Sequence, residues 1–110
     1  MALAYKVLGQ SSPAATTATA LYTVPSATEA IVNTLTVCNR ANAAATYRIS
    51  VRPAGATLAD QHYVIYDNTV GALDTVQPDI TLSLAATDVL EVYGSTNTIS
   101  FMASGVEITA

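Results

Sequence analysis

The sequence predicts an all-β protein: a single antiparallel β-sandwich, jelly-roll-like, of about seven to nine short strands with an extended N-terminal arm. Three observations predict it. Apolar and polar residues alternate along short runs, as they do on half-buried strands. Gly, Pro, Asn and Asp break those runs about every ten residues. No stretch carries the periodicity of an amphipathic helix. The length of 110 residues suits one domain with one core, covering residues 1–110.

In chain order, Leu3–Leu8 reads as a first strand ended by Gly9. Gln10–Thr19 (QSSPAATTAT) is small and hydroxyl-rich, too polar for a core, and reads as an extended arm or loop. Leu21–Val24 is a brief strand stopped by Pro25, and Ser26–Thr28 turns into the organising stretch, Ala30–Pro53. Its halves read as the two strands of a central hairpin joined by Asn39–Ala45. Ile31, Leu35 and Val37 share one face against Thr34 and Thr36. In the second half Tyr47, Ile49 and Val51 oppose Arg48, Ser50 and Arg52. A slip of one residue would expose every buried side chain, so the register is well specified.

Ala54-Gly55-Ala56 is the next turn, and His62–Tyr66 (HYVIY) the next strand. Asp67-Asn68 and Gly71–Asp74 are breaks that leave room only for a short piece at Thr69-Val70. Beyond Pro78-Asp79, Ile80, Leu82 and Leu84 point inward; Ala85–Thr87 turns. Asp88–Tyr93 places Leu90 and Val92 inward and Glu91 outward, and Gly94–Thr98 is a loop of hairpin length. The last strand, Ile99–Ile108, changes face: Ile99 and Phe101 are odd-numbered, Val106 and Ile108 even-numbered. Either a bulge at Ser104-Gly105 or burial of both faces, one of them against another subunit, accounts for this.

Composition narrows the function. Hydrophobic residues make up 51%, with much alanine, no Trp and one Phe, so Val, Ile, Leu, Ala and Tyr build the core. Only 11% of residues are charged, against roughly 25% in an ordinary soluble protein. A surface of Thr, Ser and Ala with so little charge is poorly protected against association and implies cover by copies of itself or by neighbours. The net charge of −4, with only Lys6, Arg40, Arg48 and Arg52 basic, argues against nucleic acid as a partner, although Arg48 and Arg52 share a strand face that could form an electropositive patch. The arginines are expected to pair with carboxylates, within the fold or across a subunit contact. The one cysteine, Cys38, excludes an internal disulfide and reads as a small buried hydrophobe. Neither a signal peptide nor a membrane span is expected, which implies synthesis in a cytoplasm-type compartment.

No catalytic residue, cofactor or metal is expected. A nucleophile needs a base in reach, and the one His and one Cys both sit in apparent strands without a surrounding motif. His62 reads as an interface or strand-face residue. Asp67, Asn68 and Asp74 do not have EF-hand spacing and suit turns. Asp88 is a turn residue on an opposite face from Glu91, and no glycine-rich phosphate loop occurs. Of the six tyrosines, Tyr47 points inward, and the others read as rings packed at sheet edges or subunit contacts more than as the exposed platform of a host-glycan-binding module, which is the distant alternative.

The run from YKVLGQ through LYTVPSATEAIVNTLTVCNR, TYRISVRPAGATLADQHYVIYD and LAATDVLEVYGSTNTISFMASGVEI resembles short β-rich virion structural proteins of tailed phages, notably those of cyanobacteria and other marine bacteria. The resemblance covers essentially the whole chain. Its most specific pieces are Val37-Cys38-Asn39-Arg40, Val51-Arg52-Pro53-Ala54-Gly55 and Gln61-His62-Tyr63. These are not catalytic signatures and support a family rather than a mechanism. The resemblance implies a virion building block present in many copies: a head decoration protein, or a tail, neck or fibre component. A symmetric homo-oligomer such as a trimer, together with a major capsid or tail protein, is the expected partnership. Gln10, Ser11, Ser12, Pro13, Thr16 and Thr17 are the arm residues expected to strap a neighbour, and Arg40, Arg48, Arg52 and His62 are further interface candidates.

Overall fold

A computed structural model describes residues 1–109. Among the described residues nine strands form two antiparallel sheets: β1 (Ala2–Ser11), β2 (Thr19–Thr23), β3 (Thr28–Asn39), β4 (Ala45–Arg52), β5 (Tyr63–Val70), β6 (Thr75–Val76), β7 (Leu82–Leu84), β8 (Val89–Gly94) and β9 (Ile99–Thr109). The first sheet has the order β1-β9-β3-β6, with β7 also on β3. The second has the order β2-β8-β4-β5. Val37 pairs with Val76 near one end of β3, and Ala30 with Leu84 near the other. Hence β6 and β7 are two pieces of one edge strand, interrupted around Pro78. With those pieces counted once, every connection except β4–β5 crosses between sheets, which is jelly-roll connectivity.

The inner faces share one core. Val32, Leu35, Val37, Ile99 and Phe101 from the first sheet meet Leu21, Tyr47, Ile49, Leu90 and Val92 from the second. The one phenylalanine meets Tyr47 edge-to-face across the sheets, with ring centres 6.3 Å apart. Two short 3-10 turns, Pro53–Gly55 and Asp60–His62, are the only helical pieces among the described residues.

Three expectations are corrected. Ala30–Pro53 is not a hairpin, because β3 pairs with β9, β6 and β7 while β4 pairs with β5 and β8. Alternation specifies which face a strand buries, and facing a partner across the sandwich satisfies that as well as lying beside it. The loop Arg40–Ala44 is long enough to span the roughly 10 Å between sheets. Ile31 does not share the face of Leu35 and Val37. The register of β3 against β9 shifts between Val32 and Thr34, so the inward set is Ala30 and Val32 before the bulge and Leu35 and Val37 after it. The arm expected over Gln10–Thr19 is a closed connection: Gln10 and Ser11 pair with Met102 and Phe101 as the end of β1, and Thr19 opens β2.

Strand β9 keeps a regular alternation. The bulges lie in the strands on both sides of it, between Val7 and Gly9 in β1 and between Val32 and Thr34 in β3. Gly105 lies at that level, and a side chain there would collide with the carbonyl oxygen of Ile31. The even-numbered residues of β9 therefore lie on the outer face, and Val106 and Ile108 are not in the core cluster.

Candidate functional site

The outer face of the first sheet begins as alternate residues of its three long strands. Strand register places Tyr5, Val106 and Ile31 side by side in one row, and Leu3, Ile108 and Glu29 in the next. Val7 extends the apolar stripe along β1, opposite Ser104. Leu3, Tyr5 and Val7 are 51%, 77% and 48% exposed. Val106 is buried beneath its neighbours although it lies outside the core. Toward the other end the rows become Gln10, Met102, Thr36 and then Ser100, Cys38, a hydroxyl-rich shallow hollow. One face thus carries a mostly apolar end, with Glu29 at its margin, and a polar end.

On the outer face of the second sheet most polar groups are paired within the chain, while Tyr66 of the edge strand β5 stays 55% exposed. Arg52, near the end of β4, donates from Nη1 to the carbonyls of Gly55 (3.2 Å) and Ala56 (2.9 Å) and holds the segment after the strand against the sheet. Its Nη2 lies 3.1 Å from Glu91, which is buried. Glu91 does point away from the core, yet it is not solvated as a strand-face carboxylate would be. Val89 and Ser50 are also buried. The carboxylate of Asp88 fixes two loops, accepting from the backbone N–H of Ala54 and of Ala85 at 2.9 Å each.

Further along that face Arg48 makes a bidentate pair with Asp67, Nε–Oδ1 2.6 Å and Nη2–Oδ2 3.2 Å. The pairing lowers the Asp67 pKa, and the same carboxylate raises that of the guanidinium. The guanidinium carbon lies 4.2 and 4.3 Å from the ring centres of Tyr66 and Tyr93, and Tyr63 meets Tyr66 edge-to-face at 4.9 Å. These rings are packed against one another and around Arg48. Asp67 is not a strand end: it has positive φ, and β5 continues past it as two of its residues, Tyr66 and Asp67, oppose the single Arg48 of β4.

At the side where β1 and β2 approach, Glu107 bridges the sheets. Its carboxylate lies 2.6 Å from the Lys6 ammonium and accepts at 2.6 Å from the Tyr22 hydroxyl. Lys6 and then Tyr22 lower the Glu107 pKa, while burial and the neighbouring carboxylate raise that of Tyr22. At one end of the sandwich, buried Asn39 ties three loops together. Its amide N–H groups donate to the carbonyls of Ala43 (2.7 Å) and Gly71 (3.1 Å). Its Oδ1 accepts from the Ala41 N–H and the Thr98 hydroxyl, both at 3.1 Å.

The interface candidates divide accordingly. Arg48 and Arg52 meet carboxylates within the fold. Arg40 instead donates to the Ser12 hydroxyl (2.7 Å), the Ser100 hydroxyl (2.9 Å) and the Asn97 carbonyl (3.0 Å). Pro13 is buried, and the Thr16 N–H donates to the Gly94 carbonyl at 2.8 Å, so the segment carrying Ser12, Pro13, Thr16 and Thr17 is strapped to its own domain. His62 is not a strand-face residue: it ends the second 3-10 turn, is buried, and accepts at Nδ1 from the Ala59 N–H at 3.0 Å. Cys38 is partly exposed on the outer face of the first sheet rather than buried. It is separated from His62, which packs beside the second sheet. Among the described residues no three His, Cys, Asp or Glu side chains converge on a metal-sized site, and no helix is long and apolar enough to cross a membrane.

Sequence reasoning missed Asn39, assigned to a loop, and the bridging role of Glu107. It also missed that Leu3, Tyr5 and Val7 join Val106 and Ile108; the even-numbered apolar pair at the end of β9 was the available signal. No family model matches the chain. No curated protein matches it.

Proposed function

We propose that this chain is a non-enzymatic structural subunit of a tailed-phage particle, a decoration or cement protein bound outside the head. The observation that carries the proposal is the exposed apolar stripe of Leu3, Tyr5 and Val7 on the first sheet's outer face, in a domain whose opposite outer face ties most of its polar groups to its own chain. A face of Leu3, Tyr5, Ile31 and Ile108 gains by leaving water, at about 25 cal/mol per Å² of apolar surface buried. A rigid sandwich with such a face can bridge shell subunits and oppose their separation. The low charge supports the reading, since contacts repeated many times over a shell suffer little repulsion. Jelly-roll connectivity and the resemblance to short virion proteins support it further.

Cryo-electron microscopy of the intact particle tests the proposal. Density for this domain in many copies on the shell, with the Leu3–Tyr5–Ile108 face turned toward a neighbour, is the expected result. Density confined to the neck, tail or fibre would shift the role to adaptor or host contact, and absence from the particle would overturn it.

A further inference from the structure

The two sheets present four edges: β1 and the β6/β7 pair in the first, β2 and β5 in the second. An edge strand offers unpaired N–H and C=O groups to any passing strand. Proteins blunt such edges by shortness, proline, bulges or charge. Three edges here are blunted. Strands β6 and β7 are two and three residues long, with Pro78 between them. Strand β2 has five residues with a register shift between Ala20 and Tyr22, and Pro25 follows soon after. Strand β5 has two register shifts and carries the Asp67–Arg48 pair.

Strand β1 is not blunted. From Ala2 to Val7 its register against β9 is unbroken, and its bulge comes only after Val7. It has no proline there, and its one charge, Lys6, is met by Glu107 at 2.6 Å. Its outward side chains are the exposed Leu3, Tyr5 and Val7.

We infer that β1 pairs antiparallel with β1 of a second copy of this chain, about a two-fold axis at Tyr5, joining two first sheets into one. In that register Tyr5 faces Tyr5 of the second copy and Leu3 faces Val7, so every outward pair is apolar and the aromatic pair sits on the axis. Lys6 faces Ala4, and no like charges oppose each other, whereas centring the axis on Lys6 would place two ammonium groups together. Such a contact is isologous, which gives a closed dimer rather than a trimer. The pairing partners the β1 edge and lays the two apolar stripes side by side as one continuous open face, and it rests on the structural-subunit reading for its purpose but not for its geometry. One strand edge makes a small interface, at the low end of specific contacts, so the dimer forms in the micromolar range.

Analytical ultracentrifugation of the full chain at up to about 100 μM tests it. A monomer–dimer equilibrium is expected, weakened about tenfold or more by Tyr5→Lys, which puts like charges on the axis, with an unchanged melting temperature. Oxidation should join Tyr5→Cys chains in a Cys38→Ser background into covalent dimers, and should not join Thr69→Cys chains altered on the bulged edge. A wild-type protein that stays monomeric overturns the pairing, as does equal cross-linking at both edges. If the monomeric protein nevertheless decorates the particle, only the pairing fails. If a dimer forms and is absent from the particle, only the structural reading fails.

Discussion

The two outer faces of the sandwich begin from the same alternation and finish differently. On the second sheet, polar positions of β4 and β8 (Arg48, Arg52, Glu91) acquired partners from the same chain: Asp67, the Gly55 and Ala56 carbonyls, and the Tyr66 and Tyr93 rings. On the first sheet, the outward Leu3, Tyr5 and Val7 of β1 are apolar and exposed beside Ile31, Val106 and Ile108 of β3 and β9. A face whose polar groups are paired from within contributes to stability. A face left open contributes to association. Mutations on the two faces should therefore separate these properties.

The largest effect is expected from Arg52→Ala, which strands Glu91 without a counter-charge and frees the Gly55–Ala56 segment. A loss of about 3–5 kcal/mol in chemical denaturation is expected, because an unpaired buried charge is left behind. Self-association measured well below the new unfolding transition should persist. Asp88→Ala removes the acceptor for two backbone N–H groups and should cost about 1–3 kcal/mol by the same measurement.

Glu107 sits between the two faces, and acid reads out its contribution. Its folded pKa is lowered, so the stabilisation is complete above the unfolded value of 4.5 and is lost as pH falls through the depressed folded value. Asp67, lowered by Arg48, adds to the same acid limb. Tyr22 is raised, so its contribution holds below the unfolded value of 10.0 and is lost as pH rises through the folded one. Thermal melts should be level between roughly pH 5 and 9 and fall on both sides. Glu107→Gln should make the acid fall shallower. The smallest effect on stability is expected from Leu3→Lys, within about 0.5 kcal/mol because the side chain is exposed. Its effect on association should be large, and a melting temperature that drops while association persists would invert the comparison of the two faces.

Strand existence was legible in this sequence because alternation reports one-sided burial directly. Tyr47 and Ile49 are buried as their parity requires, Leu90 and Val92 likewise, and the turns at Ser26, Gly71 and Ala85–Thr87 fall where short polar or glycine residues punctuate the chain. Strand partners were not legible, since the same parity serves a hairpin and a sandwich, and β3 and β4 took the second option. Bulges hid the side of Ile31, which depends on one unpaired residue in its strand. Asn39 looked like a loop residue because its type favours turns; burial gave it the opposite role of holding loops together. The outward stripe on β1 could be seen only once β9 lay beside it.

Jelly-roll connectivity also imposes an order on the birth of the molecule. Strands β8 and β9 each lie between two strands made before them, β8 between β2 and β4 and β9 between β1 and β3. While a ribosome is still short of Val89, β1 and β2 have no partner in either sheet and wait with their apolar sides in water. Pairings between such distant segments form slowly, and the waiting chain is exposed to chaperones and proteases. Closure of the sandwich therefore waits on β9: chains interrupted before it never acquire the outer face through which we propose that this domain assembles.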